Sequence, residues 1–113
     1  MKKCALILAL TLITGLFSAC AISETGAAGE LRLICLNIGK ADCMLLLYQN
    51  EAYLIDTGYE QNGPALEAML RQYGVSRLNG VFLTHCHEDH LGGLMKLAKS
   101  DITVDAWYAA RIY

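Results

Sequence analysis

All three histidines of this 113-residue chain fall in one six-residue stretch, His85-Cys86-His87-Glu88-Asp89-His90. Imidazole nitrogens and carboxylate oxygens packed this densely are metal-ligating groups, and the mixture suits zinc. An apolar segment that reads as a strand precedes the stretch, and a segment with helical spacing follows it. Alternate side chains at a strand end point to the same side, so His85 and His87 can hold one metal together. The chain then turns, and Asp89 and His90, opening the helix, can reach a second metal nearby. Cys86 and Glu88 alternate away from that side. Gly92-Gly93 comes next, and its lack of side chains allows the helix start to pack close to the site. The rival reading of the stretch is a solvated histidine-rich loop.

The elements that must position these groups are legible from periodicity. Residues 31–38 are rich in branched aliphatics and read as a strand. Residues 37–42 form a turn in which Gly39 is free to take a positive φ. Residues 43–48 (Cys-Met-Leu-Leu-Leu-Tyr) are a second strand, and their unbroken apolar character implies burial on both faces. Residues 52–55 make a third strand, completing an antiparallel meander. The period then changes. Pro64 suits the first turn of a helix, Leu66, Met69, Leu70 and Tyr73 fall on one helical face, and Gly74 suits its end. Residues 81–84 are a short buried strand. Leu91, Leu94, Met95 and Ala98 repeat the helical spacing, and residues 103–108 return to a strand. The predicted order is βββ-α-β-α-β, an α/β domain.

The stretch Thr84-His85-Cys86-His87-Glu88-Asp89-His90-Leu91-Gly92-Gly93 resembles the H-x-H-x-D-H signature of the metallo-β-lactamase superfamily. Tyr53-Leu54-Ile55-Asp56-Thr57-Gly58 is similar to that superfamily's strand-end Asp-x-Gly motif. The resemblance implies the N-terminal half of an αββα sandwich and a metal-dependent hydrolase carrying up to two zinc ions. It makes His85, His87, Asp89 and His90 the metal ligands, with Asp89 also orienting the attacking water. Asp56 would support the ligating histidines from behind. Substrates in the superfamily include phosphodiesters, thioesters and lactams. Leu36-Asn37-Ile38-Gly39-Lys40-Ala41-Asp42 also looks like the D-V-G-Q-G-D turn of extracytoplasmic lactamase-like domains in competence DNA-uptake proteins and their relatives. Asn37, Lys40 and Ala41 depart from it, which weighs against a nuclease. The competing functional reading is a non-catalytic, metal-binding surface lipoprotein of the same fold. A purely structural domain is the third.

Asp101 and Asp105 are the only carboxylates after His90, and both read as solvated loop or strand-end residues, Asp105 being the better stand-in for a ligand. Each metal position is then short of the three protein ligands that a catalytic zinc normally has. The sequence therefore reads as a fragment with an exposed sheet face, expected to bind zinc weakly, to associate, and to turn nothing over.

The N-terminus reads as an address. Met1-Lys2-Lys3 is a short positive segment, residues 5–17 are apolar, and Ser18-Ala19-Cys20 closes the run with small residues. This is a secretory signal peptide over residues 1–19, followed by a polar tether at 20–29 and the partial domain at 30–113. Leu16-Phe17-Ser18-Ala19-Cys20 resembles a bacterial lipobox, which would make Cys20 the lipidated first residue. Ordinary cleavage after Ala21 and a retained anchor helix are the alternatives. All three place the domain outside the cytoplasm, secreted or membrane-anchored. Without Lys2 and Lys3, seven basic residues face eleven acidic ones, a balance of −4 with no basic stripe. A nucleic-acid partner is not indicated, because phosphate binding needs clustered Lys or Arg; a small-molecule or phosphodiester substrate is. Of the five cysteines, Cys35, Cys43 and Cys86 remain once Cys4 and Cys20 are set aside. Cys35 and Cys43 read as small buried strand residues, with a disulfide between them as the rival in an oxidising compartment. Lipidation makes a direct prediction. A palmitate label is expected on the wild-type chain and absent from Cys20→Ala; a soluble mature protein beginning at Ile22 would contradict it.

Overall fold

The computed structural model describes residues 29–111. The proposed signal peptide, Cys20 and most of the tether lie outside these residues. The order is β1 (Leu31–Cys35), β2 (Met44–Tyr48), β3 (Glu51–Ile55), α1 (Gly63–Gln72), β4 (Arg77–Leu78), β5 (Gly80–Leu83), α2 (Glu88–Leu91), α3 (Leu94–Ala98), β6 (Thr103–Val104) and β7 (Trp107–Ala109).

Five strands form a mixed sheet in the order β1-β2-β3-β5-β7. The expected meander is present, with β1–β2 and β2–β3 antiparallel. Beyond it, β3–β5 and β5–β7 pair in parallel. Parallel neighbours need a crossover; α1 supplies the first, and α2 with α3 the second. The small strands β4 and β6 pair beside them as a separate two-stranded sheet.

Apolar spacing explains the core. Leu66, Met69 and Leu70 of α1 and Leu97 of α3 are buried with Leu45, Leu54 and Val81 of the central strands. Helix α1 stops where the sequence indicates. Gly74 adopts φ +67, Val75 N–H donates to Leu70 O at 2.8 Å and Gly74 N–H to Arg71 O at 3.0 Å. This is the hydrogen-bond pair that closes a helix through a left-handed glycine.

The structure corrects the sequence reading at several points. The first strand ends at Cys35 rather than running to residue 38. The second predicted helix is broken at Gly92–Gly93 into α2 and α3, so its register resets. Leu97 is the buried residue of α3, whereas Met95 is 59% exposed. The strand expected over 103–108 is two strands, and β4 is additional, so the order is βββ-α-ββ-αα-ββ. Residues 43–48 are not buried on both faces. Cys43 and Leu45 are buried, but Met44 and Leu46 are only half-buried and Tyr48 is exposed. Among the described residues the helices cover one sheet face. The other presents Leu31, Leu33, Phe82 and Tyr108 to solvent, with Phe82 stacked on Tyr108 at 4.6 Å between ring centroids.

Cys35 differs from its expected burial. It lies on the uncovered face opposite Met44, while Cys43, next along the partner strand, points into the core. Successive strand residues face opposite sides, so the two thiols are separated by the sheet, and Cys35, Cys43 and Cys86 are all free. Burial, reinforced by the Asp56 charge, pushes the Cys43 thiol up to about 12. The thiolate is the reactive form, so Cys43 is expected to resist maleimide in the native protein, while exposed Cys35 and Cys86 react. Peptide mapping by mass spectrometry checks this; native labelling of Cys43 at the rate of the other two would contradict the burial.

Candidate metal centre

The site is built on the ends of two adjacent parallel strands. Strand β3 ends at Ile55, and β5 beside it ends at Leu83. His85 and His87 therefore lie past the strand, on an irregular bend, and not on the strand end as expected. His87 holds the extended conformation just before α2, with φ −83° and ψ 153°. Asp89 and His90 follow on that short helix.

Asp56 is the hub. Its Oδ1 accepts the Thr84 backbone N–H at 2.8 Å, and its Oδ2 accepts the Thr84 hydroxyl at 2.6 Å. The same Oδ2 lies 2.8 Å from His90 Nδ1. Asp56 is buried and adopts φ +57, a left-handed conformation that Asp tolerates better than most residues. Backbone in such regions costs about 1–3 kcal/mol and persists where its surroundings hold it. Here the Asp56 N–H is held by Phe82 O at 2.8 Å, and the carboxylate by Thr84 and His90.

These bonds dictate tautomers. A carboxylate accepts only, so His90 donates from Nδ1 and keeps the Nε2 lone pair for a ligand. The Thr84 hydroxyl spends its one proton on Asp56, so at 3.1 Å it accepts from His85 Nδ1–H. The His85 lone pair is then on Nε2 as well. Thr84 was missed in the sequence, where it was only the last residue of a strand; its place immediately before the first histidine was the available signal.

The donors converge. His85, His87 and Asp89 each offer a ligand atom, and these lie within 4.8 Å of one another. Ring centroids of His85 and His90 are 3.6 Å apart. Asp89 Oδ2 stands 3.4 Å from His90 Nε2, which places Asp89 between the two histidines of the bend and the one on the helix. His85 and His87 are exposed, Asp89 is half-buried and His90 is buried. Burial pulls the His90 pKa down, but the hydrogen bond to Asp56 and the charges of Asp56, Asp89 and Asp42 outweigh it and leave it above its ordinary value. The donor set and its spread fit a zinc-sized cation: nitrogen and oxygen ligands, with open space on the solvent side.

Main-chain bonds lock the helix to the strand loop. Thr57 donates both its N–H, at 2.7 Å, and its hydroxyl, at 2.9 Å, to His90 O. Gly93 N–H donates to Gly58 O at 3.2 Å. A methyl group on Gly92 would strike the Tyr59–Glu60 backbone, and one on Gly93 the Thr57 carbonyl oxygen. The glycine pair is required by this contact.

Asp101 and Asp105 do not join the site. Asp101 pairs with Arg71 at 3.3 Å and Asp105 with Arg77 at 2.9 Å. Cys86 and Glu88 are exposed and outside the ligand group.

The family model described as "Metallo-beta-lactamase superfamily" matches residues 36–112. The chain belongs to the metallo-beta-lactamase superfamily. That match spans both the Asp56 segment and the histidine stretch, so the superfamily's general character, metal-dependent hydrolysis, attaches to these residues. The mixed sheet with helices on one face agrees with part of that fold. Comparison with curated proteins found no match.

The hub generates a prediction. In Asp56→Ala the Thr84 donors and the buried His90 Nδ1–H lose their acceptor, and leaving the buried His90 donor unsatisfied costs about 1–3 kcal/mol. Metal affinity is expected to fall about 10–100-fold, the usual effect of losing an outer partner. Denaturant unfolding and metal titration measure the two effects; wild-type values for both would show that Asp56 is not the hub.

Proposed function

We propose that these residues are the metal-binding part of a dinuclear zinc hydrolase of the metallo-beta-lactamase type, acting outside the cytoplasm from a lipid anchor at Cys20. The observation that carries the reading is the convergence of His85, His87 and Asp89 within 4.8 Å, with Asp89 Oδ2 also 3.4 Å from His90 Nε2. In this reading His85 and His87 hold one metal, and Asp89 and His90 hold the other. Zinc bound there would polarise the scissile group and lower the pKa of a bound water towards about 7.

The protein's own residues do the rest. Asp56 and Thr84 engage Nδ1 of His90 and His85, which leaves the Nε2 lone pair of each for a metal. Asp89, held on the first turn of α2, offers a carboxylate oxygen to orient the attacking water and receive its proton. The acidic surroundings favour a cation and disfavour an unneutralised phosphate, so an anionic substrate would rely on the metal for its attraction. The likeness of residues 36–42 to the competence-related turn belongs to the same proposal, and the acidic net charge supports a small phosphodiester, ester or lactam over a nucleic acid.

Elemental analysis of the purified protein provides the test. His85→Ala, His87→Ala, Asp89→Ala and His90→Ala are each expected to lower the bound metal, and unchanged stoichiometry in all four would sink the ligand assignment. Turnover of the full-length protein is read on a panel of a phosphodiester, a thioester and a β-lactam. Metal-dependent hydrolysis lost in Asp89→Ala supports the enzyme; stable metal with no hydrolysis of any of the three points instead to a non-catalytic metal-binding module.

A further inference from the structure

Asp42 stands beside the same group of side chains, although it lies on the turn between β1 and β2, far from the histidine stretch in sequence. Its Oδ2 is 3.6 Å from His90 Nε2, on the nitrogen face that Asp56 leaves free. Asp89 Oδ2 is 3.4 Å from the same nitrogen. Both separations are long for hydrogen bonds. They match what a shared ion would impose: zinc bonds of about 2.0–2.2 Å set tetrahedral donors about 3.3 Å apart. His90 is buried, its Nδ1 is committed to Asp56, and its Nε2 lies within 3.6 Å of both carboxylates.

We infer that Asp42 is a protein ligand of the metal position formed by Asp89 and His90. The inference rests on the metal-site reading above and completes it, since Asp42, Asp89 and His90 make the three protein ligands that an open catalytic zinc site uses. The placement is built into the backbone. Asp42 N–H donates to Asp89 O at 3.2 Å, and Gly58 N–H donates to Asp42 O at 2.9 Å, so the turn is held against both the helix and the Asp56 segment. The Asp42 side chain is 59% exposed, which leaves it free to swing onto an ion without disturbing the core.

The test isolates this position in the full chain. In a His85→Ala/His87→Ala variant, one site is expected to remain, detectable by zinc titration against a chromophoric chelator and by the visible bands of bound cobalt. Adding Asp42→Ala there should weaken binding by about 100-fold or more, beyond the 10–100-fold that loss of an outer partner costs, and should alter the cobalt bands. The backbone bonds of Asp42 persist in that variant, and far-UV circular dichroism verifies the fold. If Asp42→Ala leaves affinity and cobalt bands unchanged while His90→Ala abolishes the site, Asp42 is not a ligand and the metal reading stands. If the wild-type chain binds neither zinc nor cobalt, both fall together.

Discussion

The Asp56 carboxylate ties the ends of two strands to the short helix that carries His90. It sits at the end of β3, in a left-handed conformation, and takes hydrogen bonds from the backbone and hydroxyl of Thr84 at the end of β5 and from His90 on α2. A buried carboxylate is costly unless its oxygens are satisfied, and here both oxygens accept from fixed donors. That requirement orders three separate segments around one point. It also selects the nitrogen that His90 presents outward and, through Thr84, the nitrogen that His85 presents.

Around this hub the chain is closed by short backbone bonds and little bulk. The carbonyl of His90 receives two donors from Thr57, and Gly58 accepts from Gly93. The contact is so close that Gly92 and Gly93 leave no room for a Cβ. The same pair of glycines breaks the helical run into α2 and α3. One local feature therefore serves two ends: it brings α2 against the strand loop, and it turns α3 so that Leu97 enters the core. The turn carrying Asp42 is the third wall, bonded to Asp89 on one side and Gly58 on the other.

The sheet that supports this rim is covered on one face only among the described residues. Leu45, Leu54 and Val81 meet α1 and α3, while Leu31, Leu33, Phe82 and Tyr108 face solvent. An apolar row of this kind favours association. The His85–His90 stretch lies at the strand ends, so association across the sheet face would leave these side chains accessible.

The candidate ligands and their local supports could be read from the sequence alone. The alternation His85, His87, Asp89, His90, the Asp56 segment and the Gly92–Gly93 pair were legible because each is a short motif whose spacing carries its own reason. The meander, α1 and its glycine stop were legible for the same reason, since periodicity and capping are local. The remaining features depend on segments distant in the chain. The break between α2 and α3 comes from contact with residues 57–60, and the exposure of Cys35 and the partial exposure of Met44 from which sheet face the helices take. The tautomers of His85 and His90 follow from a carboxylate on another strand. Asp42 read as one more turn residue, because no spacing within residues 36–43 shows that the turn folds back onto α2. Its approach to His90 arises from two backbone hydrogen bonds across the fold, and such bonds exist only once the strands have paired.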